Sequence, residues 1–128
     1  MKKLLLLSAL LIFACSNGDD SDSSNSNGNS INPPAWIQGL WLNENLSVGM
    51  EFRTDDICGI NSGGAQCFKV IMNSDPESSA YEEISDTRYY VVISVALAEY
   101  TYEFEKVSDS TINWILYPSG QIATLNKQ

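Results

Sequence analysis

The sequence predicts an all-β domain, an antiparallel barrel or sandwich, over residues 35–128. Short β-favouring runs recur there at intervals of about ten residues, with Gly, Pro, Ser or Asn between them. The region holds 94 residues, which suffices for one hydrophobic core and is too short for two. The tract before it is polar and poor in apolar residues, so the domain boundary is placed at residue 35.

Residues 1–14 have the composition of a secretory signal peptide. Lys2 and Lys3 precede the apolar run Leu4–Ala14, which is too short to span a bilayer. The segment Ile12–Cys15 resembles a bacterial lipobox, with an aliphatic residue at −3 and a small residue at −1. The resemblance implies that Cys15 becomes the lipidated N-terminus, and two or more acyl chains hold a protein stably in a membrane. An ordinary secretory signal with a chance cysteine is the alternative.

Residues 15–34 are predicted to be the lipidated cysteine and a flexible linker. Ser, Asn, Asp and Gly dominate, and Ile31 is the one aliphatic residue, so this segment cannot bury enough apolar surface to offset its ordering entropy. As a coil, residues 16–34 would span about 24 Å. The acidic cluster Asp19–Asp22 resembles the export tag of surface-exposed lipoproteins in Bacteroidota-type bacteria. It implies an outer-membrane lipoprotein on the cell surface, and the periplasmic leaflet is the alternative.

The first half of the domain contains three candidate strands. They are Trp36–Leu42, the alternating run Met50–Thr54, and Cys67–Met72. Asp75 before Pro76 favours the start of a helix, because proline is well tolerated at the first helical position. One short helical turn is therefore predicted near residues 76–81.

The second half of the domain has a clear period of two. Tyr100, Tyr102 and Phe104 share one phase, and the preceding residues share the opposite one: Tyr89, Val91, Ile93, Val95 and Leu97. A strand cannot change phase without turning its core residues to solvent, so a tight turn, a bulge or a change of strand partner is predicted near Ala98–Glu99. Two further turn signals, Ser108–Ser110 and Pro118–Gly120, bound the predicted strands Thr111–Tyr117 and Gln121–Asn126.

Cys58 and Cys67 remain as an even pair once Cys15 is assigned to the lipid. In an oxidising compartment such a pair predicts a disulfide, here closing a Gly-rich loop and stabilising by about 2.5–3 kcal/mol in the chain-entropy model. Two separate buried thiols are the alternative. Because the chain has no histidine and no second cysteine pair, this pair is not expected to bind a metal. Oxygen ligands for calcium are conceivable at Asp75, Glu77, Glu82 and Glu83, but their spacing matches no recognised calcium loop, so we expect no metal site and no cofactor.

Several motifs resemble those of the small lipocalin-like lipoprotein domains of Bacteroidota. Ile37–Trp41 contains Gly-x-Trp, Met50–Phe52 follows it, Tyr102–Asp109 contains Tyr-x-Phe before a Ser-Asp hairpin, and Leu125–Lys127 ends the chain as Leu-x-Lys. The resemblance covers most of residues 36–127. It implies a small antiparallel up-and-down β-barrel, lipocalin-like, in which Trp41 closes one end of the core.

The charged residues exclude several classes of function. Without Lys2 and Lys3 the mature chain has five basic and sixteen acidic side chains, a formal charge of −11, so we expect no nucleic acid as a partner. The absence of histidine removes every Ser-His or Cys-His pair. The adjacent carboxylates Asp55–Asp56 and Glu82–Glu83 face opposite sides of a strand and are predicted to lie on solvated edges or turns. The protein is therefore not expected to be an enzyme.

Five aromatic residues are candidates for a ligand pocket or for plain core, namely Trp41, Phe52, Tyr102, Phe104 and Trp114. Two functions follow. The first is a non-catalytic binding module, held to the membrane through its N-terminal lipid, for a small ligand, a glycan or a partner protein. The second is an inhibitor or immunity-type protein that blocks a basic hydrolase through an acidic face and a protruding loop, such as Cys58–Cys67.

Overall fold

The computed structural model describes the backbone of residues 23–128 and the side chains from residue 28 onward. The predicted signal peptide and Cys15 lie outside the described residues. The described residues, 23–128, contain no helix that is both long and apolar enough to cross a membrane.

The described residues form ten β-strands, one short α-helix and one 3-10 turn. The strands are β1 (Ser23–Gly28), β2 (Gly39–Leu42), β3 (Gly49–Phe52), β4 (Ile57–Asn61), β5 (Gly64–Cys67), β6 (Ser79–Ser85), β7 (Arg88–Val95), β8 (Ala98–Lys106), β9 (Thr111–Leu116) and β10 (Gln121–Lys127). The helix α1 spans Phe68–Asn73 and the 3-10 turn spans Ala35–Ile37.

All ten strands belong to one antiparallel sheet in the order β1-β6-β7-β8-β9-β10-β2-β3-β4-β5. Neighbours in the chain are neighbours in the sheet through β6–β10 and through β2–β5, as in an up-and-down meander. The pairing of β10 with β2 joins the two meanders, so the first and last parts of the domain meet. The sheet curls into a half-barrel, which confirms the predicted all-β, antiparallel, barrel-like fold. Its two edge strands are β1 and β5, and α1 follows β5 in the chain.

The buried core fills the closed part of the half-barrel. Burial alternates strictly along β7, where Tyr89, Val91 and Ile93 are fully buried and their neighbours are half-buried. Phe52 meets Phe104 edge to face with ring centres 4.8 Å apart, a favoured geometry for aromatic pairs. The period of two in the sequence therefore correctly identifies the inward-facing residues of this strand.

The predicted phase change is confirmed as a tight turn between β7 and β8. Val95 pairs with Ala98, and the two residues between them form the turn, with Ala96 in the left-handed region at φ 52°. Leu97, which shares the inward phase of β7 in the sequence, lies at the tip of this turn and is fully exposed. The predicted hairpin turn at Ser108–Ser110 is also present, between β8 and β9.

The N-terminal segment differs from the predicted flexible linker. β1 pairs with β6 over six residues, from Ser23 opposite Ser85 to Gly28 opposite Ala80. Beyond it, Ile31 is 1% exposed and belongs to the core. The backbone N–H of Asn32 donates to both carboxylate oxygens of Glu82 at 3.0 Å. The folded unit thus begins before residue 35, because strand pairing uses backbone groups that a polar composition does not remove.

The short helix lies earlier in the chain than predicted. Residues 68–73 are helical where a β-strand was expected, and the predicted helical turn near 76–81 is instead a non-helical turn at Pro76–Glu77 followed by the start of β6. Phe68 and Met72 are four residues apart and both are buried, whereas Val70 is 73% exposed. This i, i+4 spacing places the two buried side chains on one helical face. The carboxylate of Asp56 accepts from the backbone N–H of Lys69 at 2.8 Å, which satisfies a donor in the first turn.

Candidate functional site

An open cleft lies where the β7–β8 hairpin extends beyond β9. β8 pairs with β7 from Glu105 down to Ala98. Its pairing with β9 covers only Glu103–Lys106. Within the described part of the chain, residues 98–102 therefore have a strand neighbour on one side only. The chain turns away after Leu116, so β9 leaves a notch beside this part of β8.

The cleft has a volume of about 520 Å³, within the usual range of about 300–1,000 Å³ for ligand pockets. It is lined by Glu99, Tyr100, Thr101, Tyr102, Trp114, Leu116, Tyr117 and Pro118. Four of these eight residues are aromatic, and the carboxylate of Glu99 and the hydroxyl groups of threonine and tyrosine supply polar groups. This is the combination of apolar surface and few polar groups that binding sites use.

The floor of the cleft rests on the filled core. The Tyr102 ring is nearly parallel to that of Phe104, with centres 6.3 Å apart and an interplanar angle of 7°. The Trp114 ring lies 6.2 Å from Tyr102 and 6.0 Å from Phe104, centre to centre. Phe104 itself is fully buried. Burial, and then the neighbouring Tyr100, raise the pKa of Tyr102, so its hydroxyl stays protonated and able to donate.

A second, smaller hollow of about 130 Å³ continues the cleft toward α1. Tyr100 and Tyr102 line both hollows, and Phe68 and Ile71 form the helical side. The Phe68 ring lies 5.3 Å from Tyr100 and 5.8 Å from Tyr102, centre to centre. Tyr100 and Ile71 are 42% and 44% exposed. Apolar surface therefore extends from the cleft over the helix.

A polar network on the outer face of the sheet holds one wall of the cleft. The Tyr117 hydroxyl donates to Glu103, and Arg88 donates to Glu103 at 2.7 Å and to Glu83 at 3.0 Å. The Arg88 guanidinium also lies 4.9 Å from the centre of the Tyr90 ring. Burial works to raise the pKa of Glu103, but the hydrogen bonds from Arg88 and Tyr117 more than offset it and lower that pKa. Glu103 is therefore ionised at neutral pH and fixes the Tyr117 side chain.

The five predicted aromatic residues divide between core and cleft. Trp41, Phe52 and Phe104 are at most 2% exposed and belong to the core, whereas Tyr102 and Trp114 line the cleft. Sequence reasoning did not select Tyr100 and Tyr117 as site residues. For Tyr100 a signal existed, since it shares the phase of Tyr102, but the sequence does not show where β9 ends.

The two adjacent carboxylate pairs are not wholly on solvated edges, as predicted. Glu82 is 1% exposed and Asp56 is 3% exposed, while their neighbours Glu83 and Asp55 face outward and form ion pairs with Arg88 and Lys69. Glu82 accepts from the Tyr89 hydroxyl at 2.5 Å in addition to its bonds with Asn32. Each inward carboxylate accepts hydrogen bonds that hold structural elements together.

Cys58 and Cys67 form the predicted disulfide, with a Cα–Cα separation of 4.0 Å between directly opposed residues of β4 and β5. Ligand atoms of these cysteines and of the Asp56 carboxylate lie within 4.8 Å of one another. Both sulfur atoms are committed to the disulfide, and a thiolate is the form in which cysteine binds a metal. The cluster therefore offers a metal one carboxylate in this oxidation state.

Comparisons of this chain with protein-family models, with curated proteins and with solved structures find no match. The resemblance to lipocalin-like lipoprotein domains stays a prediction from the motifs of the sequence.

Proposed function

We propose that this protein is a membrane-anchored, non-catalytic binding module whose ligand occupies the aromatic cleft beside β8. One observation carries the proposal: β8 continues past the end of its ladder with β9, and the cleft beside it is lined by aromatic rings. Among the lining rings, Tyr102 stacks on a fully buried residue, Phe104. A floor that is already ordered loses little conformational entropy when a ligand binds.

The direction of β1 supports a position of the cleft away from the membrane. β1 begins at Ser23, opposite Ser85, and ends at Gly28, opposite Ala80. In the neighbouring ladders Ala80 is level with Ile93 and Ile93 with Tyr100, at the cleft. Ser23, where the described chain begins, therefore lies at the end of the sheet away from the cleft. With Cys15 lipidated, the cleft is directed outward from the membrane surface.

The inhibitor or immunity function ranks second in this proposal. The β4–β5 hairpin, which was expected to protrude as a loop toward a cationic enzyme, has no charged residue between Ile57 and Cys67. On the outer face of the sheet, Glu83 and Glu103 share Arg88. The acidic residue Glu99 lies instead among the residues that line the cleft, and this favours the binding function over the inhibitor function.

Binding of the neutral apolar dye Nile red to residues 16–128 tests the cleft. Tyr100→Ser removes an aromatic ring that is 42% exposed in both hollows, and Ile122→Ser removes an apolar side chain that is 60% exposed on β10 outside the cleft lining. We expect at least a roughly tenfold weaker dye affinity for Tyr100→Ser, since burying such a ring contributes about 1.5–3 kcal/mol, and no change for Ile122→Ser. Equal affinity of the two variants, or no binding by the parent chain, would contradict the proposal.

The anchor is tested separately in cells. Incorporation of a labelled fatty acid should depend on Cys15 and disappear in Cys15→Ser. Protease treatment of intact cells should remove the domain if it is displayed on the surface. Protection in intact cells, with digestion after the envelope is opened, would place it on the periplasmic leaflet instead.

A further inference from the structure

The backbone of β8 beside the cleft has the geometry of a strand-addition site. The backbone N–H of Lys106 points to the β7 side and donates to the carbonyl oxygen of Thr87 at 2.8 Å. Backbone groups alternate along a strand, so the even-numbered residues of β8 face β7 and the odd-numbered ones face the opposite side. On that opposite side, Glu103 and Glu105 pair with residues of β9. The N–H and C=O groups of Glu99 and Thr101 point into the notch, where the described residues provide no paired strand.

The two faces of this edge differ in chemistry. Tyr100 and Tyr102 point to the inner face, together with Trp114 and Phe68. Glu99 and Thr101 lie on the outer face, followed by the Glu103 carboxylate along the same strand. A strand placed beside them would set every second side chain against aromatic rings and the others beside Thr101 and the carboxylate of Glu99. The matching occupant alternates apolar and basic residues.

A second copy of this chain is a poor occupant. In the fully overlapping antiparallel register, Glu99 of each copy lies opposite Thr101 of the other and diagonal to the other Glu99, and residues 98–102 supply no basic side chain to pair with either carboxylate. The undescribed residues 16–22 of the chain fit no better, because they contain three aspartates and no aliphatic or aromatic residue. Charge and side-chain pattern both favour a foreign segment.

We propose that the edge of β8 at residues 98–102 binds an extended segment of a partner protein, with alternating apolar and basic residues, as an added antiparallel strand. This inference rests on the proposed binding function and names its ligand class. The added strand continues the row of β9, which is itself antiparallel to β8. Five facing residues span about 17 Å, the length of an average strand. Backbone hydrogen bonds provide affinity, and the aromatic face selects the apolar residues.

The test uses the full-length lipidated protein in phosphatidylcholine nanodiscs, with empty nanodiscs as the blank. The probe is the acetylated and amidated peptide Val-Lys-Val-Lys-Val. In antiparallel register its two lysine amides face Glu99 and Thr101, and its valine amides face away. N-methylation of the two lysine amides should weaken calorimetrically measured binding by about tenfold or more. N-methylation of the inner valine amide is the matched control and should change it little.

A pair of protein variants tests the same edge from the other side. Thr101→Pro removes the N–H that faces the notch and leaves the ladder with β7, a position where proline is tolerated on an edge strand. Thr101→Ala keeps that N–H. We expect the peptide to bind Thr101→Ala like the parent protein and to bind Thr101→Pro about tenfold or more weakly. If Thr101→Pro does not fold, the comparison of methylated peptides decides alone.

The outcomes separate this inference from the proposed function. Equal binding of the two methylated peptides, equal binding of a Val-Glu-Val-Glu-Val peptide, or a concentration-dependent dimer that excludes the peptide would each overturn strand addition by a basic segment. If Nile red still binds in a Tyr100-dependent manner, the binding cleft stands and only its ligand class is wrong. If neither dye nor peptide binds, both proposals fail.

Discussion

Replacement of Tyr89 by phenylalanine should measurably weaken the fold by removing one hydroxyl group. That hydroxyl donates to Glu82 at 2.5 Å, and the Glu82 side chain is 1% exposed. The same carboxylate accepts the backbone N–H of Asn32 at 3.0 Å, so it joins the N-terminal segment to β6 and β7. Burial, and then the charge of Glu82, raise the pKa of Tyr89 far above its ordinary value, so it is a permanent donor.

The expected magnitude follows from the charge of the acceptor. A hydrogen bond to a charged group contributes about 1.5–3 kcal/mol, and a buried carboxylate that loses a donor has no water to replace it. The ring itself is kept, with its contacts to Phe52 at 6.2 Å and Phe104 at 6.5 Å between centres. We therefore expect Tyr89→Phe to lower the free energy of unfolding by about 1.5–3 kcal/mol. With a urea m-value of about 2 kcal/mol/M, the unfolding midpoint falls by about 1 M.

Urea unfolding followed by tryptophan fluorescence measures this loss, with Tyr100→Phe as the matched control. The Tyr100 side chain is 42% exposed, and removal of a surface hydroxyl stays within about 0.5 kcal/mol. Hydrogen exchange at the Asn32 amide should also become faster in Tyr89→Phe. Without the Tyr89 hydroxyl, the Glu82 carboxylate is held less firmly, so its hydrogen bond to the Asn32 N–H opens more often. A midpoint for Tyr89→Phe equal to that of Tyr100→Phe would refute the reasoning.

Three further predictions concern the disulfide, a glycine and an ion pair. Replacing both Cys58 and Cys67 by alanine should cost about 2.5–3 kcal/mol in urea unfolding, and a reductant should reproduce this loss in the parent protein but add nothing in the variant. Gly49→Ala would place its Cβ 1.9 Å from the Trp41 carbonyl oxygen and should cost about 2–3 kcal/mol or more, whereas Gly59→Ala meets nothing within 4 Å and should stay within about 0.5 kcal/mol. The lowered pKa of Glu103 stabilises the fold above the carboxyl group's ordinary pKa of 4.5, and this contribution is lost as the pH falls through the folded-state pKa. In unfolding curves measured in parallel, the difference in free energy of unfolding between the parent protein and Arg88→Gln should therefore shrink below pH 4.5.

The period of two in apolar side chains predicted those strands whose orientation is set by their side chains. The inward residues of β7 and the turn that follows can be read from the change of phase between Val95 and Tyr100. β1 could not be predicted, because Ser23–Gly28 has no apolar pattern and joins the sheet through its backbone. Nor could α1, whose residues favour a strand locally; the burial of Phe68 and Met72 on one helical face overrides that preference.

The cleft escaped sequence prediction because it arises from a mismatch of strand lengths. β8 has nine residues and β9 has six. The turn signal at Pro118–Gly120 marked the end of β9, but the register between β8 and β9 was needed to show which residues of β8 then lack a partner. Side-chain patterns specify the face of each residue and leave the relative ends of the strands open.

The same mismatch explains why the aromatic residues divide into core and site. Phe104 pairs with Trp114 within the ladder of β8 and β9, so its ring is covered by strands on both sides. Two residues earlier, Tyr102 has passed the end of that ladder, and its ring is stacked on the core below and open to the cleft above. A longer β9 would bury Tyr102 and occupy the edge at Glu99 and Thr101. The early end of β9 therefore creates the apolar floor and the free strand edge together, and any ligand that uses one is placed against the other.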